Sequence, residues 1–329
     1  YGIDLLVDPH QDVWSRMSGG DGAPGWTYEA IGMDVSRFSE TGAAIVHAIH
    51  GDPFPRMIWP TNYTKLAAAT MFSLFFGGND FAPRTQVDGE PVQEFLQRHY
   101  IDAIKQVALR LKSLPNVVGY DTMNEPSPGF IGWPDLTALD GLLHLGESPT
   151  PFQAMTLGAG FPQEVEIWTA GVRGFRQRGR KVVNRGGVRA WQEGCDCIWR
   201  ENDVWDVGGD GQPRLLQPYH FSRVGNRAVD FANDYLLPFL HRVTDNVRQV
   251  NPEWMIFFEK DGNTTFVDPA LPEGLPERTV YAPHWYDLIT LMMKRFSPFA
   301  SYDAIARKPV LGQKALLEMY ISQLSRVQR

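Results

Sequence analysis

A carboxylate follows directly on an apolar segment that is predicted to form a β-strand. Residues 117–123 read VVGYDTM, and Asn124, Glu125 and Pro126 come next. A buried strand end can raise the pKa of a carboxyl group, so that it keeps its proton and acts as a general acid. Hydrolysis of a glycosidic bond needs such an acid and a second carboxylate, and Asn124 could hold a substrate hydroxyl. We predict that Glu125 is this acid; the alternative is a carboxylate that caps a following helix.

A second group of polar side chains, Asp8, His10 and Asp12, follows the apolar run at residues 3–7. Because these residues alternate, an extended chain would present all three on one face, where they could bind sugar hydroxyls or a metal ion. Sugar binding is favoured, since no further His cluster completes a coordination shell. We predict no bound metal and keep the metal site as the alternative.

A third group, His284 and Tyr286, ends the predicted strand 279–285. The two residues would share one face if the strand continues that far. In a hydrolytic site they would flank the second carboxylate and tune it by hydrogen bonding. Such side chains are otherwise ordinary packing residues, so the pair supports a site only together with Glu125.

The elements that must position these side chains alternate between strands and helices. Apolar spacing predicts strands at residues 3–7, 117–123, 255–259 and 279–285, and helices at residues 91–114, 228–250 and 314–327. This order is typical of a parallel α/β protein, and no glycine-rich phosphate turn indicates a nucleotide-binding version. The best-fitting fold is a (β/α)8 TIM barrel, whose active sites lie at the C-terminal strand ends. Only four of the eight strands are found.

The segment 127–226 follows neither period and is rich in Gly, Pro and Trp. It is too long for an ordinary connection between a strand and a helix. We predict an insertion after the strand that carries Glu125, with short helices around residues 165–175. It would form either a lid or side wall of the site or a surface decoration without function.

Composition argues against several classes of protein. The net charge of -7 argues against binding to nucleic acid, which needs a basic surface. Cys195 and Cys197 are too close in sequence to pair readily, so two ordinary thiols and an intracellular location, cytoplasmic or vacuolar, are predicted. No membrane-spanning run or signal peptide is visible. The opening residues, YGIDLLVDPH, read as the middle of a domain, so an N-terminal part is expected to be missing.

Three motifs resemble glycoside hydrolase family 5, in particular its endoglycoceramidase-related branch: DPHQDVWS at 8–15, MNEPSPGF at 123–130 and PHWYDL at 283–288. Within that branch, the insertion segments SPTPFQAM, FPQEVEIW and EGCDCIWREN resemble the fungal β-glucosidases that act on glucosylceramide and on steryl glucosides. The resemblance covers nearly the whole chain.

The resemblance implies a retaining mechanism with Glu125 as acid/base and Asn124 beside it. It also implies substrate-binding roles for residues on two further barrel strands, the third and the sixth: His10, Asp12, His284 and Tyr286. No cofactor is implied.

The nucleophile of the family is a second Glu, expected on the seventh strand in a Gly-Glu-Phe-like context. Nothing after Tyr286 matches, since the only later Glu is Glu318, inside a helical pattern. Glu259 ends a strand and is the alternative, although it matches the fifth strand. Residues 1–329 are therefore predicted to form barrel strands three to six, with the insertion 127–226 after strand four. The nucleophile would lie outside the chain, which alone would be inactive and fold poorly because it exposes strand edges.

The leading hypothesis is a retaining β-glucosidase of glycolipids, either glucosylceramide or a steryl glucoside, with transient access to a membrane surface and no protein partner. One alternative is a non-catalytic glycolipid-binding protein that lacks the nucleophile. The other is a zinc-dependent hydrolase that uses His10, Asp12 and Glu125. No pattern in the sequence separates a ceramide from a sterol aglycone.

Overall fold

A four-stranded parallel sheet carries the candidate site. The computed structural model describes residues 2–53, 59–141, 144–171, 174–261 and 270–327. The strands lie side by side in chain order: Leu5–Val7, Val117–Asp121, Met255–Phe258 and Thr279–Tyr281. All neighbouring pairs are parallel, as the near-continuous apolar runs predict. The four predicted strands are confirmed: the first ends at the predicted residue, Val7, and the other three end one to four residues before the predicted end.

The first strand is an outer strand of this sheet, and although its sequence is apolar it is partly exposed. Leu5 and Leu6 are 37% and 40% exposed, because the strand pairs only with Val117–Asp121 among the described residues. The second strand is almost wholly buried. An apolar segment alone does not reveal whether a strand is central or at an edge.

Three long helices pack beside the sheet. Leu66–Phe81 is buried nearly all round, Val92–Leu111 buries one face, and a π-turn at Ala232–Leu236 leads into Leu237–Arg248. Edge-to-face aromatic contacts join them, for example between Phe75 and Phe239, whose ring centroids lie 5.1 Å apart. The amphipathic helices predicted at 91–114, 228–250 and 314–327 are confirmed, the last as Gln313–Val327.

The long insertion contains a strand where helices were predicted. Its three-stranded antiparallel sheet consists of Gly146–Ser148, Gln163–Thr169 and Arg176–Val183. Residues 163–169 read QEVEIWT, an alternation with the period of a strand, so the prediction of helices around 165–175 is wrong. Helix Pro151–Gly158 begins with a capping box between Thr150 and Gln153. The division of the chain into a barrel and an insertion stays a prediction.

Short elements complete the described chain. The helices are Trp26–Ala30, Phe38–Thr41, His47–His50, Ile198–Glu201 and Leu288–Met293, with 3-10 turns at Arg16–Ser18, Val35–Arg37, Trp59–Thr64 and His220–Ser222. The two-stranded ribbons pair Gln86–Val87 with Glu90–Pro91, Trp205–Val207 with Pro213–Leu215, Arg223–Val224 with Arg227–Ala228, and Ala300–Asp303 with Lys308–Leu311. None of the helices that the structure describes is long and apolar enough to cross a bilayer.

Candidate active site

The site is built at the C-terminal edge of the parallel sheet, where all four strands end together. Residues 8–12 follow the first strand, residues 122–126 the second, Glu259 the third and residues 282–286 the fourth. In parallel α/β folds this edge is where ligands bind. The sheet therefore brings together side chains that are up to about 270 positions apart in sequence.

His284 joins two carboxylates from two other strands. Its Nδ1 lies 2.9 Å from Glu125 Oε1, and its Nε2 lies 3.2 Å from Glu259 Oε1. The second oxygen of Glu259, Oε2, accepts a hydrogen bond of 3.1 Å from the backbone N–H of Glu125. Glu125 and Glu259 are thus connected twice, once through the imidazole and once directly.

Tyr286 also contacts Glu125. Burial raises the pKa of the Tyr286 hydroxyl to about 12, and the charge of Glu125 and a hydrogen bond with its carboxylate act in the same direction. The sequence predicted that His284 and Tyr286 flank a second carboxylate. Within the described chain both residues contact the predicted acid itself, and His284 contacts Glu259 in addition, while their contact with the nucleophile stays a prediction.

The backbone at Glu125 is held in an unusual conformation. Its φ is 42°, in the left-handed region that is costly for a residue with a side chain. Gln11 Nε2 donates to the carbonyl oxygens of Asn124 and Glu125 at 2.8 and 3.0 Å. Residues 126–133 contain turns and no helix, so the alternative that Glu125 caps a following helix is wrong.

The Asn124 side chain is turned toward the loop after the first strand. It is 1% exposed, and its Nδ2 donates to the Gln11 carbonyl oxygen at 2.8 Å. Its Oδ1 is buried and makes no hydrogen bond within the described chain. The predicted contact of Asn124 with a substrate hydroxyl would use this acceptor, and it stays a prediction.

His10 and Asp12 lie together, as the alternating triplet predicts. His10 Nε2 is 3.4 Å from Asp12 Oδ2, and Trp59 Nε1 donates to Asp12 Oδ1 at 2.9 Å. Burial raises the pKa of Asp12, while the hydrogen bond from Trp59 opposes this. The half-exposed His10 and the indole of Trp59 offer a polar and an aromatic wall to a sugar-sized ligand.

One group within the described ranges has the spacing to hold a metal ion. It consists of His10, Asp12 and Asp21, whose nearest ligand atoms lie within 4.8 Å of one another. Two of the three residues are exposed. Glu125 is not a member of this group, so the ligand set of the zinc-hydrolase alternative is not the one that the fold assembles.

Two acids of the site, Asp121 and Glu259, are buried. The sequence analysis gave a possible role only to Glu259. Burial raises the pKa of Asp121 to about 7, and the negative charge of Asp8 acts in the same direction. Burial also raises the pKa of Glu259 to about 9, and the charges of Asp121 and Glu125 add to this effect. Asp121 had a detectable signal, since it is an acidic residue inside an apolar strand.

Gln11 and Trp59 were missed as contributors to the site. Gln11 is 6% exposed and ties the first strand's loop to Asn124 and Glu125. Trp59 reaches Asp12 from a segment 47 positions further along the chain. Neither residue stands in a local pattern that separates it from an ordinary polar or aromatic residue.

The chain is similar to fungal enzymes along almost its whole length. It is 40% identical over 316 residues to a glucosylceramidase of Rhizopus delemar, which covers 92% of this chain and 45% of that protein. It is 32% identical to the ergosteryl-beta-glucosidase of Saccharomyces cerevisiae, with 100% and 49% covered. The crystal structure of sterylglucosidase 1 of Cryptococcus neoformans superposes with a TM-score of 0.91 at 31% identity, over 99% of this chain and 51% of that one.

No family model matches the chain. The resemblance to fungal glucosylceramide and steryl glucoside β-glucosidases is nevertheless confirmed by these relatives. The chain spans about half the length of the relatives it matches.

Proposed function

We propose that this chain, which is homologous to the fungal glucosylceramidases and steryl β-glucosidases, carries the acid/base side of a retaining β-glucosidase site. Glu125 acts as the acid that protonates the leaving oxygen and later as the base that activates water. The observation that carries the proposal is the contact of Glu125 with His284 and Tyr286 at the C-terminal edge of the parallel sheet. His10, Asp12 and Asn124 are proposed to bind the sugar.

We propose that the nucleophile lies outside these 329 residues. Glu259 is poorly suited to the role, because it is 3% exposed and both of its oxygens are engaged. A nucleophile must instead reach the anomeric carbon from the open side of the site. The four-stranded sheet would then supply strands three to six of an eight-stranded barrel, as the motifs predict.

The proposed substrates are amphiphilic β-glucosides, either glucosylceramide or a steryl glucoside. Both classes of activity occur in the names of the similar proteins. A lipid-linked substrate requires transient access to a membrane surface, and no protein partner or cofactor is proposed. The cytoplasmic or vacuolar location also stays a prediction.

The test is hydrolysis of a fluorogenic β-glucoside by the whole open reading frame that contains these residues. Substituting Glu125→Gln should reduce kcat by about 10²–10⁴-fold, the usual contribution of a general acid. Glu318→Gln, a change of the same chemistry in the exposed part of helix Gln313–Val327, should leave the rate unchanged. Azide should restore turnover of an activated glucoside by Glu125→Ala and give a β-glucosyl azide, the retained product.

The whole protein should bind a glucose-configured iminosugar, and the 329-residue chain alone should not hydrolyse the fluorogenic substrate. Turnover by this chain that Glu259→Gln abolishes would overturn the placement of the nucleophile. Binding by the whole protein without any turnover would instead favour the non-catalytic glycolipid-binding protein.

A further inference from the structure

We propose that Glu259 is a positioning residue, which holds His284 in the tautomer protonated at Nδ1 and fixes the backbone of Glu125. The inference rests on the proposed function, since it concerns how the acid/base residue is held. It gives Glu259 a role different from the nucleophile that the sequence left open.

The first support is that Glu259 uses both carboxyl oxygens within the site. Oε1 faces His284 Nε2 at 3.2 Å, and Oε2 accepts the Glu125 N–H at 3.1 Å. The side chain is only 4% exposed, so these two contacts take up its hydrogen-bonding atoms. The Glu259 side chain thereby constrains the His284 ring at the end of the fourth strand and the main chain of Glu125 at the end of the second strand.

The second support is a count of protons. His284 contacts a carboxyl oxygen at each ring nitrogen, so two hydrogen bonds need two protons between three groups. Three arrangements satisfy this count. An imidazolium can lie between two carboxylates, a neutral Glu259 can donate to Nε2 while Nδ1–H donates to Glu125 Oε1, or a neutral Glu125 can donate to Nδ1 while Nε2–H donates to Glu259 Oε1. All three carry a net charge of about −1 and differ only in where the two protons lie.

The surroundings of Glu259 favour the arrangement with the neutral acid. Burial penalises its charged form, and acidic groups at the ends of the first and second strands act in the same direction, so that its pKa is raised to about 9. The charged and titratable groups that face the pair are Asp8, Asp121, Glu125, His284 and Tyr286. Four of these are acids or a phenol, so a further negative charge on Glu259 is unfavourable.

A neutral Glu259 has a direct consequence for Glu125. The Nδ1–H of His284 then always points at Glu125 Oε1. A third proton, which Glu125 must take up to act as the acid, is therefore directed to Oε2. Above the pKa of Glu259 one proton is lost, and a neutral ring has a single N–H for two carboxylates. His284 then loses its hydrogen bond either to Glu125 or to Glu259.

The backbone contact supplies the other half of the role. Glu125 has a φ of 42°, a conformation that persists only where the surroundings enforce it. Glu259 Oε2 binds its N–H from below, and Gln11 Nε2 binds its carbonyl oxygen at 3.0 Å. The peptide units on either side of Glu125 are thus fixed by two different strand ends.

The tautomer of His284 can be measured directly on the whole protein labelled with ¹⁵N-histidine. Long-range ¹H–¹⁵N spectra distinguish Nδ1–H, Nε2–H and imidazolium forms, and His284→Gln identifies the signals. We expect a neutral ring protonated at Nδ1 at pH 7, which changes form as the pH rises through 9. An imidazolium at pH 7 would overturn the proposal, and this measurement requires no variant of Glu259.

Two variants separate the neutral-acid role from its alternatives. Glu259→Gln keeps an acceptor for the Glu125 N–H and a donor for His284 Nε2, so it should preserve the Nδ1–H form and remove the change near pH 9. Glu259→Leu has neither group and should release the ring into a mixture of tautomers. If Glu259→Gln converts the ring from a charged to a neutral form, or if Glu259→Leu leaves it unchanged, the proposal is wrong.

The measurements of the His284 tautomer do not depend on hydrolysis. Failure of the whole protein to bind the iminosugar would count against the proposed function and leave the tautomer result intact. In the whole protein, Glu259→Gln should retain most of kcat and alter the alkaline limb of the pH profile of kcat/KM. Complete loss of turnover in Glu259→Gln would identify a nucleophile and contradict a positioning role.

Discussion

Glu125 combines a left-handed backbone with a side chain that faces the site. The φ of 42° would suit glycine, yet the position carries the carboxylate that His284 and Tyr286 contact. Strain of this kind typically accumulates at functional sites, where the surrounding contacts offset it. The conformation is therefore expected to lower stability while it places the carboxylate in contact with His284 and Tyr286.

This cost can be isolated by comparing Glu125→Gly with Glu125→Ala. Both variants remove the same carboxylate contacts, but only Gly adopts the left-handed region without steric conflict. We expect Glu125→Gly to be more stable than Glu125→Ala by about 1 kcal/mol. The free energies of unfolding from urea titrations provide the measurement.

The same pair of substitutions at Glu318 serves as the control. Glu318 lies within the helix Gln313–Val327, where Gly should be less stable than Ala by about 1 kcal/mol. The sign of the difference should thus reverse between the two positions. Equal signs would mean that the backbone of Glu125 is not strained.

The sequence revealed the chemical groups of the site better than their contacts. Glu125, His284 and Tyr286 stand at strand ends, and the sheet does bring them together. The contacts of His284 and Tyr286 with Glu125 were not predicted, because a strand pattern gives the edge on which a residue lies but not its neighbours across the edge. Gln11 was missed for the same reason, since its partners lie more than a hundred positions away.

At the scale of elements, the site depends on the close approach of the second and third strands. Gly119 pairs with Leu6 on one side and Met255 on the other. A Cβ atom at Gly119 would lie 2.2 Å from the carbonyl oxygen of Met255. These two strands carry Glu125 and Glu259 at their ends, so their spacing sets the distance between the two acids.

Gly119→Ala is therefore expected to destabilise the chain and to weaken the site. Because the clash is with backbone, the strands must separate, at a cost of about 1–3 kcal/mol or more in the free energy of unfolding. Iminosugar binding should weaken at the same time. Gly209→Ala is the matched control, since no atom lies within 4 Å of its added Cβ. Its free energy of unfolding and its iminosugar affinity should stay near those of the parent protein. Equal stability of the two variants would contradict the observed strand spacing.

Element prediction succeeded where one periodicity dominated and failed where none did. The one-sided helix Val92–Leu111 was predicted, whereas Leu66–Phe81, which is buried nearly all round, has no polar face to mark it. In the insertion, the strand Gln163–Thr169 was predicted as a helix, although its polar and apolar residues alternate. The overall Gly and Pro content of that segment obscured the short alternation.

At the scale of the whole molecule, one apolar groove lies beside the outer first strand. A groove of about 530 Å³ runs between this strand and helix Val92–Leu111. Its apolar lining includes Val7, Trp26, Ile104 and Val107. An exposed apolar groove next to an unpaired strand edge is a site for association with other apolar groups.

We expect this groove to bind the fluorescent dye 8-anilinonaphthalene-1-sulfonate in the folded chain, since the dye reports accessible apolar surface. Val107→Asp should reduce the fluorescence, because Val107 lines the groove and is 42% exposed, so that the charge is tolerated. Leu109→Asp introduces the same charge on the same helix at an equally exposed residue, 42%, that does not line the groove. It should leave the fluorescence unchanged. An equal loss of fluorescence in the two variants would show that the dye responds to charge or to general unfolding. The dye would then not bind in this groove.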